Sequence, residues 1–189
     1  MRDISRATCW LAMSVSLSAC ADISYRDPPE GPNTARVRFA SDANLAAPLI
    51  VFDDASCESG GREWLRLQAR PGLNVSSKRL GIPLWNYTDS AAKELVVRTD
   101  RDLYGVFSAS GVNEPVCLTY FSAKFLPGGE YEVFFNHDWT ADRCSVTVSI
   151  IRTHDEPHRY PIAIFRSTVE KPNVSAACMK SWEASRLPW

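Results

Sequence analysis

Apolar and polar residues alternate through most of this chain, and this period of two limits its fold more than any other feature. In ARVRFAS, Val37 and Phe39 fall on one face of an extended segment, whereas Arg36 and Arg38 fall on the other. Successive side chains of a β-strand point to opposite faces, so such a stretch predicts a strand with one buried face. Similar or continuously apolar stretches are PLIVF (48–52), WLRLQAR (64–70), ELVVRT (94–99), LYGVFSAS (103–110), VCLTYFSAKF (116–125), YEVFFN (131–136), CSVTVSII (144–151) and YPIAIFRS (160–167).

The number and spacing of these stretches predict an all-β fold. Eight to ten short strands with almost no helical period are typical of a sandwich or barrel. We expect a single antiparallel β-sandwich of immunoglobulin-like or transthyretin-like architecture. The turn residues PGG (127–129) predict a hairpin between the strands on either side. TDSAAKEL (88–95) predicts a short helical turn, and SAACMKSWEASR (175–186) a terminal helix.

The first nineteen residues have the features of a secretory signal. Arg2 and Arg6 precede the apolar stretch CWLAMSVSLSA (9–19). This stretch is too short for a membrane-spanning helix, which needs about 20 apolar residues. We therefore expect residues 1–19 to be removed during export.

The end of the signal carries a more specific motif. Leu17, Ser18, Ala19 and Cys20 resemble the lipobox of bacterial lipoproteins. This resemblance implies that Cys20 is lipidated, with palmitate among its acyl chains, and becomes the mature N-terminus. Several acyl chains together would anchor the protein stably in a membrane. The alternative is an ordinary secretory signal followed by a chance cysteine.

The residue after the cysteine indicates which membrane is involved. In the lipoproteins that this motif resembles, an aspartate directly after the cysteine favours the inner membrane. Here Ala21 holds that position and Asp22 follows it. We expect an outer-membrane protein that faces the periplasm, with the inner membrane as the alternative.

Residues 20–33 predict a flexible tether between the anchor and the domain. They contain three prolines and a glycine among mixed charges, a composition that favours extended chain. Fully extended, the tether would lift the domain about 40 Å from the membrane. The chain then divides into a signal peptide (1–19), the lipidated cysteine with its tether (20–33) and one β-sandwich domain (34–189).

Four of the six cysteines lie beyond the signal and the lipobox. An even number in an oxidising compartment predicts two disulfides, and none of the four belongs to a CxxC pair that would indicate redox or zinc chemistry. Sequence alone leaves three pairings open. Our hypothesis joins Cys117 to Cys144, across neighbouring strands, and Cys57 to Cys178, which would hold the C-terminal segment to an early loop.

The sequence contains few features of a metal site, a nucleic-acid-binding surface or a catalytic site. Pro157 prevents a regular helix from stacking His154 on His158, and in a strand the two would lie about 13 Å apart. We expect no metal or other cofactor. No serine lies in a G-x-S-x-G elbow, and a net charge of −1 without a basic cluster disfavours nucleic acid. The alternative to a non-catalytic protein is an envelope hydrolase whose carboxylate or histidine site is assembled by the fold.

A candidate binding face lies on the predicted strand WLRLQAR. Trp64, Arg66 and Arg70 alternate with buried leucines and would share its outer face, extended by the arginines of ARVRFAS. Tryptophan and arginine are enriched at binding hot spots, so we expect another envelope protein or a glycan as the partner. The alternative is a solvated sheet face on which arginines stack against an indole.

The chain as a whole resembles the small β-rich lipoproteins of proteobacteria. The shared features are the lipobox, the proline-rich tether, an early strand like ARVRFAS, and FLPGGEYEV (125–133) followed by the cysteine strand CSVTV. The resemblance implies a lipid-anchored periplasmic domain that binds a partner or has a structural role. It names no ligand.

Overall fold

The described residues form nine β-strands, and this part of the chain contains no helix that could cross a membrane. The structure is a computed structural model that describes residues 25–42, 46–58, 61–67, 79–87, 91–109, 117–138, 140–141, 143–152 and 156–168. The strands are β1 (Thr34–Ser41), β2 (Ala47–Phe52), β3 (Arg62–Leu67), β4 (Ala92–Arg98), β5 (Leu103–Ala109), β6 (Cys117–Ala123), β7 (Glu130–Asp138), β8 (Arg143–Arg152) and β9 (His158–Thr168).

The strands form two sheets that pack as a sandwich. The first sheet has the order β4-β1-β7-β8-β9, and the second has the order β3-β2-β5-β6. The prediction of an all-β sandwich is confirmed. The expectation of purely antiparallel pairing was wrong at one place, because β1 and β7 pair in parallel.

The core lies between the two sheets, as the alternating pattern predicted. Val37 and Phe39 of β1 are fully buried there. Phe107 of β5 stacks on Phe121 of the same sheet and on Phe135 of the opposite sheet, at centroid distances of 5.8 Å and 5.3 Å. These rings join the two layers.

The PGG turn does not close a hairpin, contrary to the prediction. It carries the chain from β6 in the second sheet to β7 in the first. Gly128 takes a φ of +71°, which glycine adopts without steric cost. Its N–H donates to the carbonyl of Thr34 at 2.8 Å, and the carbonyl of Gly129 accepts from Arg36 N–H at 3.0 Å. The turn is thus bonded to β1, which places β7 alongside β1 instead of β6.

The two helical predictions have different outcomes. Ala92 to Leu95 belong to β4, so the helical turn predicted for 88–95 was wrong over these four residues. Residues 88–90 and the stretch 175–186 lie outside the described residues.

One disulfide connects the two sheets. Cys117 at the start of β6 is bonded to Cys144 of β8, as predicted. The two strands lie in opposite sheets, so the bridge spans the core rather than joining neighbouring strands as we expected. Cys57 is also disulfide-bonded. The hypothesis that pairs it with Cys178 stays a prediction, because Cys178 lies outside the described residues.

The segment 25–33, which we expected to belong to a free tether, lies against the sandwich. Tyr25 N–H donates to the carbonyl of Trp64 in β3 at 3.2 Å, and its hydroxyl donates to the carbonyl of Val96 in β4 at 3.0 Å. The Val96 N–H donates to Asp27 Oδ2 at 3.1 Å. Because β3 and β4 are edge strands that contact each other, the segment closes this side of the sandwich and covers backbone groups that edges otherwise expose.

Gly105 allows close packing of β5 on its neighbours. A Cβ added there would lie 2.8 Å from two ring atoms of Phe121 and 3.2 Å from Leu49 Cδ1. We expect Gly105→Ala to lower the free energy of unfolding by about 1–3 kcal/mol, as overpacking of a core does. Urea unfolding would measure this, with Gly31→Ala as the control because its added Cβ meets only a backbone oxygen at 4.0 Å. Equal stabilities of the two variants would contradict the prediction.

Candidate functional site

A cleft of about 260 Å³ opens where the segment 25–33 crosses the edge strands. We call it the N-terminal cleft. Its volume is slightly below that of typical pockets for drug-sized ligands, the smallest of which are about 300 Å³. Its size therefore suits a single sugar ring or a small charged group. The residues whose side chains give it its chemistry are Tyr25, Arg26, Trp64, Arg98, Arg101 and Asp102.

An aromatic pair forms one wall of the N-terminal cleft. The rings of Tyr25 and Trp64 stack with centroids 3.9 Å apart and an interplanar angle of 19°. Both side chains are partly buried and pack against the core. Trp64, which we predicted on an open outer face, therefore lies under Tyr25 and contributes to the cleft instead.

Three arginines and one aspartate supply the charges of the cleft. Arg98 is paired with Asp100, and its hydrogen bond is the main reason that the pKa of Asp100 is lowered. Asp102 lines the same cleft, and its carboxylate accepts from the Tyr104 hydroxyl at 3.4 Å. Neither Arg26 nor Arg101 forms an ion pair with a described carboxylate. These two guanidinium groups are suited to an anionic ligand, since guanidinium binds carboxylate and phosphate in a bidentate manner.

The other residues of the predicted binding face do not join Trp64. Arg66 is exposed on β3 and pairs with Glu63, with 2.7 Å between Nη2 and Oε2. It does not line the N-terminal cleft. Arg70 lies outside the described residues. Sequence analysis missed Tyr25, Arg26 and Arg101, because two lie in the proline-rich segment and one in the turn after β4.

Arg36 and Arg38 also lie away from Trp64, on the outer face of the first sheet. Arg38 is fully buried between two buried glutamates, with 2.9 Å from Nη2 to Glu94 Oε1 and 3.2 Å from Nη1 to Glu132 Oε2. Glu132 also pairs with Arg159, at 2.7 Å between Nε and Oε1. We call these four residues the buried ion cluster.

The loop 79–87 covers the buried ion cluster. Arg38 donates to the carbonyls of Ile82 and Leu84, and to that of Pro83 at 2.8 Å. Arg159 donates to the carbonyl of Leu84 at 2.7 Å. Leu84 has a φ of +61°, a strained value for a leucine. The two guanidinium groups therefore hold the loop in a conformation that it would not favour alone.

The two glutamates of the cluster are buried carboxylates on either side of Arg38 and are therefore a candidate for the acid pair of a hydrolase. All four of their carboxylate oxygens are engaged. Arg38 and the backbone N–H groups of Leu80 and Ile82 bind Glu94, whereas Arg38 and Arg159 bind Glu132. Neither glutamate lines the N-terminal cleft. Their bonds fit a role in attaching the loop to the sheet.

A histidine lies beside the inter-sheet disulfide. The ligand atoms of Cys117, His137 and Cys144 are all within 4.8 Å of one another. Two thiolates and an imidazole would suit zinc. Here the sulfurs are bonded to each other, so they are not available as thiolate ligands. Of His154 and His158, which the sequence argued against as a metal pair, the first lies outside the described residues.

The Tyr25 hydroxyl gives the attachment of the N-terminal segment a pH dependence. Burial, and secondarily the charge of Asp27, raise the pKa of Tyr25 to about 12, whereas an unfolded tyrosine titrates near 10. The folded state therefore favours the protonated hydroxyl. Its contribution to stability is complete below pH about 10 and is lost as the pH rises toward 12.

We expect Tyr25→Phe to lower the free energy of unfolding at pH 8 by about 1 kcal/mol, the usual net value of one hydrogen bond. Its further loss of stability between pH 8 and 11 should be smaller than that of the wild type. Urea unfolding at both pH values measures this. Tyr160→Phe is the control, since that side chain is 47% exposed. Parallel pH profiles for wild type and Tyr25→Phe would contradict the prediction.

The chain matches no protein-family model, and no curated protein shows significant similarity to it. The function proposed below is therefore based on the residues themselves.

Proposed function

We propose that the protein is a lipid-anchored envelope protein of the outer membrane that faces the periplasm and binds a partner without catalysing a reaction. The N-terminal cleft is the observation that carries this proposal. It combines a stacked aromatic pair with two guanidinium groups that form no ion pair with a described carboxylate. Aromatic side chains and arginines are the residue types that dominate binding hot spots.

The position of the cleft in the chain supports the lipid anchor as part of the same function. Only residues 21–24 separate Tyr25 from Cys20, the cysteine of the lipobox. Tyr25, the first residue in the sequence that lines the cleft, is therefore only five positions from the proposed acylation site. A ligand in the cleft would be bound next to the membrane, as expected for an envelope protein of the small β-rich lipoprotein class that the sequence resembles.

The anchor has a direct cellular test. Cys20→Ser, expressed with its own signal in a Gram-negative host, should move from the membrane fraction to the soluble periplasmic fraction. The wild type should stay with the outer membrane. A Cys20→Ser protein that remains in the membrane fraction would contradict the proposed anchor.

The binding role is tested by photocrosslinking in intact cells. A photoreactive residue at position 101 lies in the N-terminal cleft, whereas one at the exposed Arg166 lies on β9, at the opposite edge of the sheet from β4. We expect a discrete adduct from position 101 and none from position 166. The mass of the adduct would tell whether the partner is a protein, a glycan or a lipid. Equal labelling from both positions, or none from position 101, would contradict a binding site in the cleft.

A further inference from the structure

We infer that the N-terminal cleft rests on the surface of the membrane that anchors the chain and binds the phosphate of an anionic phospholipid headgroup. This inference depends on the proposed acylation of Cys20. It assigns Arg26 and Arg101 as the phosphate-binding groups and the Tyr25–Trp64 pair as the part that meets the headgroup region.

The length of chain between the anchor and the cleft limits how far the cleft can be from the membrane. An extended chain advances at most about 3.6 Å per residue, so the five steps from Cys20 to Tyr25 span at most about 18 Å. Tyr25 is itself fixed to the sandwich by its bonds to Trp64 and Val96. An acylated Cys20 lies at the membrane interface, so the cleft has to lie within about 18 Å of it. This maximum distance is less than half of the distance of about 40 Å that a free tether over residues 20–33 would allow.

The residues of the cleft suit that location. Tryptophan and tyrosine are enriched at membrane interfaces, where an apolar ring and a polar tip meet different surroundings. Arginine can place its apolar stem along such a surface and its guanidinium among the headgroups. The Tyr25–Trp64 pair and Arg26 supply these three residue types at one point of the fold.

Two arginines of the cleft are suited to an anion. Asp100 pairs with Arg98. Asp27 accepts from the Val96 N–H and keeps its negative charge, but it does not line the cleft. Of the remaining groups, Asp102 offsets one positive charge, whereas Arg26 and Arg101 have no ion pair with a described carboxylate. The chain as a whole has a net charge of −1, so an anionic membrane would repel it in general. The acyl chains supply the attachment, and a local cationic site would let this side of the domain face such a membrane.

The test uses vesicles and the mature chain from residue 20 with Cys20→Ser, exported through a cleavable signal so that the disulfides form. We expect it to bind vesicles that contain phosphatidylglycerol and not vesicles of phosphatidylcholine alone. Arg26→Gln/Arg101→Gln should weaken binding about 30-fold, which is roughly 5-fold for each cation near an anionic surface. Arg143→Gln/Arg166→Gln changes the net charge equally at exposed positions on β8 and β9 and should leave binding within about 2-fold of the starting protein.

Two further readouts separate the possible occupants. Brominated phosphatidylglycerol should quench tryptophan fluorescence, and the quenching should fall in Trp64→Phe, which preserves an aromatic ring in the stack. Inorganic phosphate, titrated alone, should bind weakly and be displaced by the vesicles. Tight binding of free phosphate that vesicles do not displace would indicate a site for a soluble anion and overturn the inference. Equal losses in the two arginine pairs would overturn it as well.

Failure of the anchor and failure of the headgroup site can be told apart. The mass and the membrane location of the wild-type protein test whether Cys20 is acylated. If Cys20 proves acylated but the mature chain does not distinguish the two kinds of vesicle, only the headgroup inference fails.

Discussion

Replacing Arg38 by methionine should lower the free energy of unfolding by about 3–5 kcal/mol, the usual cost of removing one partner from a buried ion pair. Arg38 is fully buried, and it donates to both Glu94 and Glu132, which are 1% and 3% exposed. Without the guanidinium, Glu94 would be left with only backbone N–H partners, and the loop 79–87 would lose three of the bonds to its carbonyls. Urea unfolding measures the loss.

Two variants control this prediction. Arg36→Met removes a neighbouring arginine that pairs with Glu130 and bonds one carbonyl of the loop, that of Leu80. Its side chain is 40% exposed, so its effect should be within about 1 kcal/mol. Arg38→Met/Glu94→Leu/Glu132→Leu removes the buried acids together with their cation. It should regain much of the lost stability, since apolar residues can replace buried ion pairs at little cost. Arg159 would then turn to solvent, to which its side chain is already 29% exposed. Similar losses for Arg38→Met and Arg36→Met would show that the cluster does not fix the loop.

Removing the inter-sheet disulfide should have the second large effect. Cys117 and Cys144 are 27 residues apart in sequence, and the loop-entropy relation gives about 3.5 kcal/mol for a loop of this length. Both side chains are buried in the core, and alanine is smaller than a half-cystine, so the replacement adds no steric clash. We expect Cys117→Ala/Cys144→Ala to lose about 3–4 kcal/mol in urea unfolding under non-reducing conditions. A loss below about 1 kcal/mol would mean that the sheets are held together without this bond.

The alternating pattern was sufficient to predict the strands and their buried faces. Val37, Phe39 and the cysteine of β8 all lie in the core as their phase indicated. The pattern could not show which strands share a sheet. PGG has the composition of a hairpin turn, yet its bonds to β1 direct the chain into the other sheet. That choice depends on residues about 90 positions earlier in the sequence.

The candidate site was predictable only in part, for the same reason. Trp64 was identified from its residue type and its position in the strand. It forms a wall of the cleft only together with Tyr25, which lies in a stretch whose proline content predicted a free tether. Arg38 was correctly placed on the outer face of its strand. It is nevertheless buried, because the loop 79–87 returns to cover it. A period of two describes one strand at a time and contains no information about such distant contacts.

The intact mass of the membrane-extracted protein, with and without thiol alkylation, tests whether the chain is a lipid-anchored periplasmic domain. We predict a chain that begins at Cys20, carries acyl mass on that residue and takes up no alkylating agent at Cys57, Cys117, Cys144 or Cys178. A chain without acyl mass on Cys20 would contradict the anchor, and with it the position of the N-terminal cleft at the membrane surface.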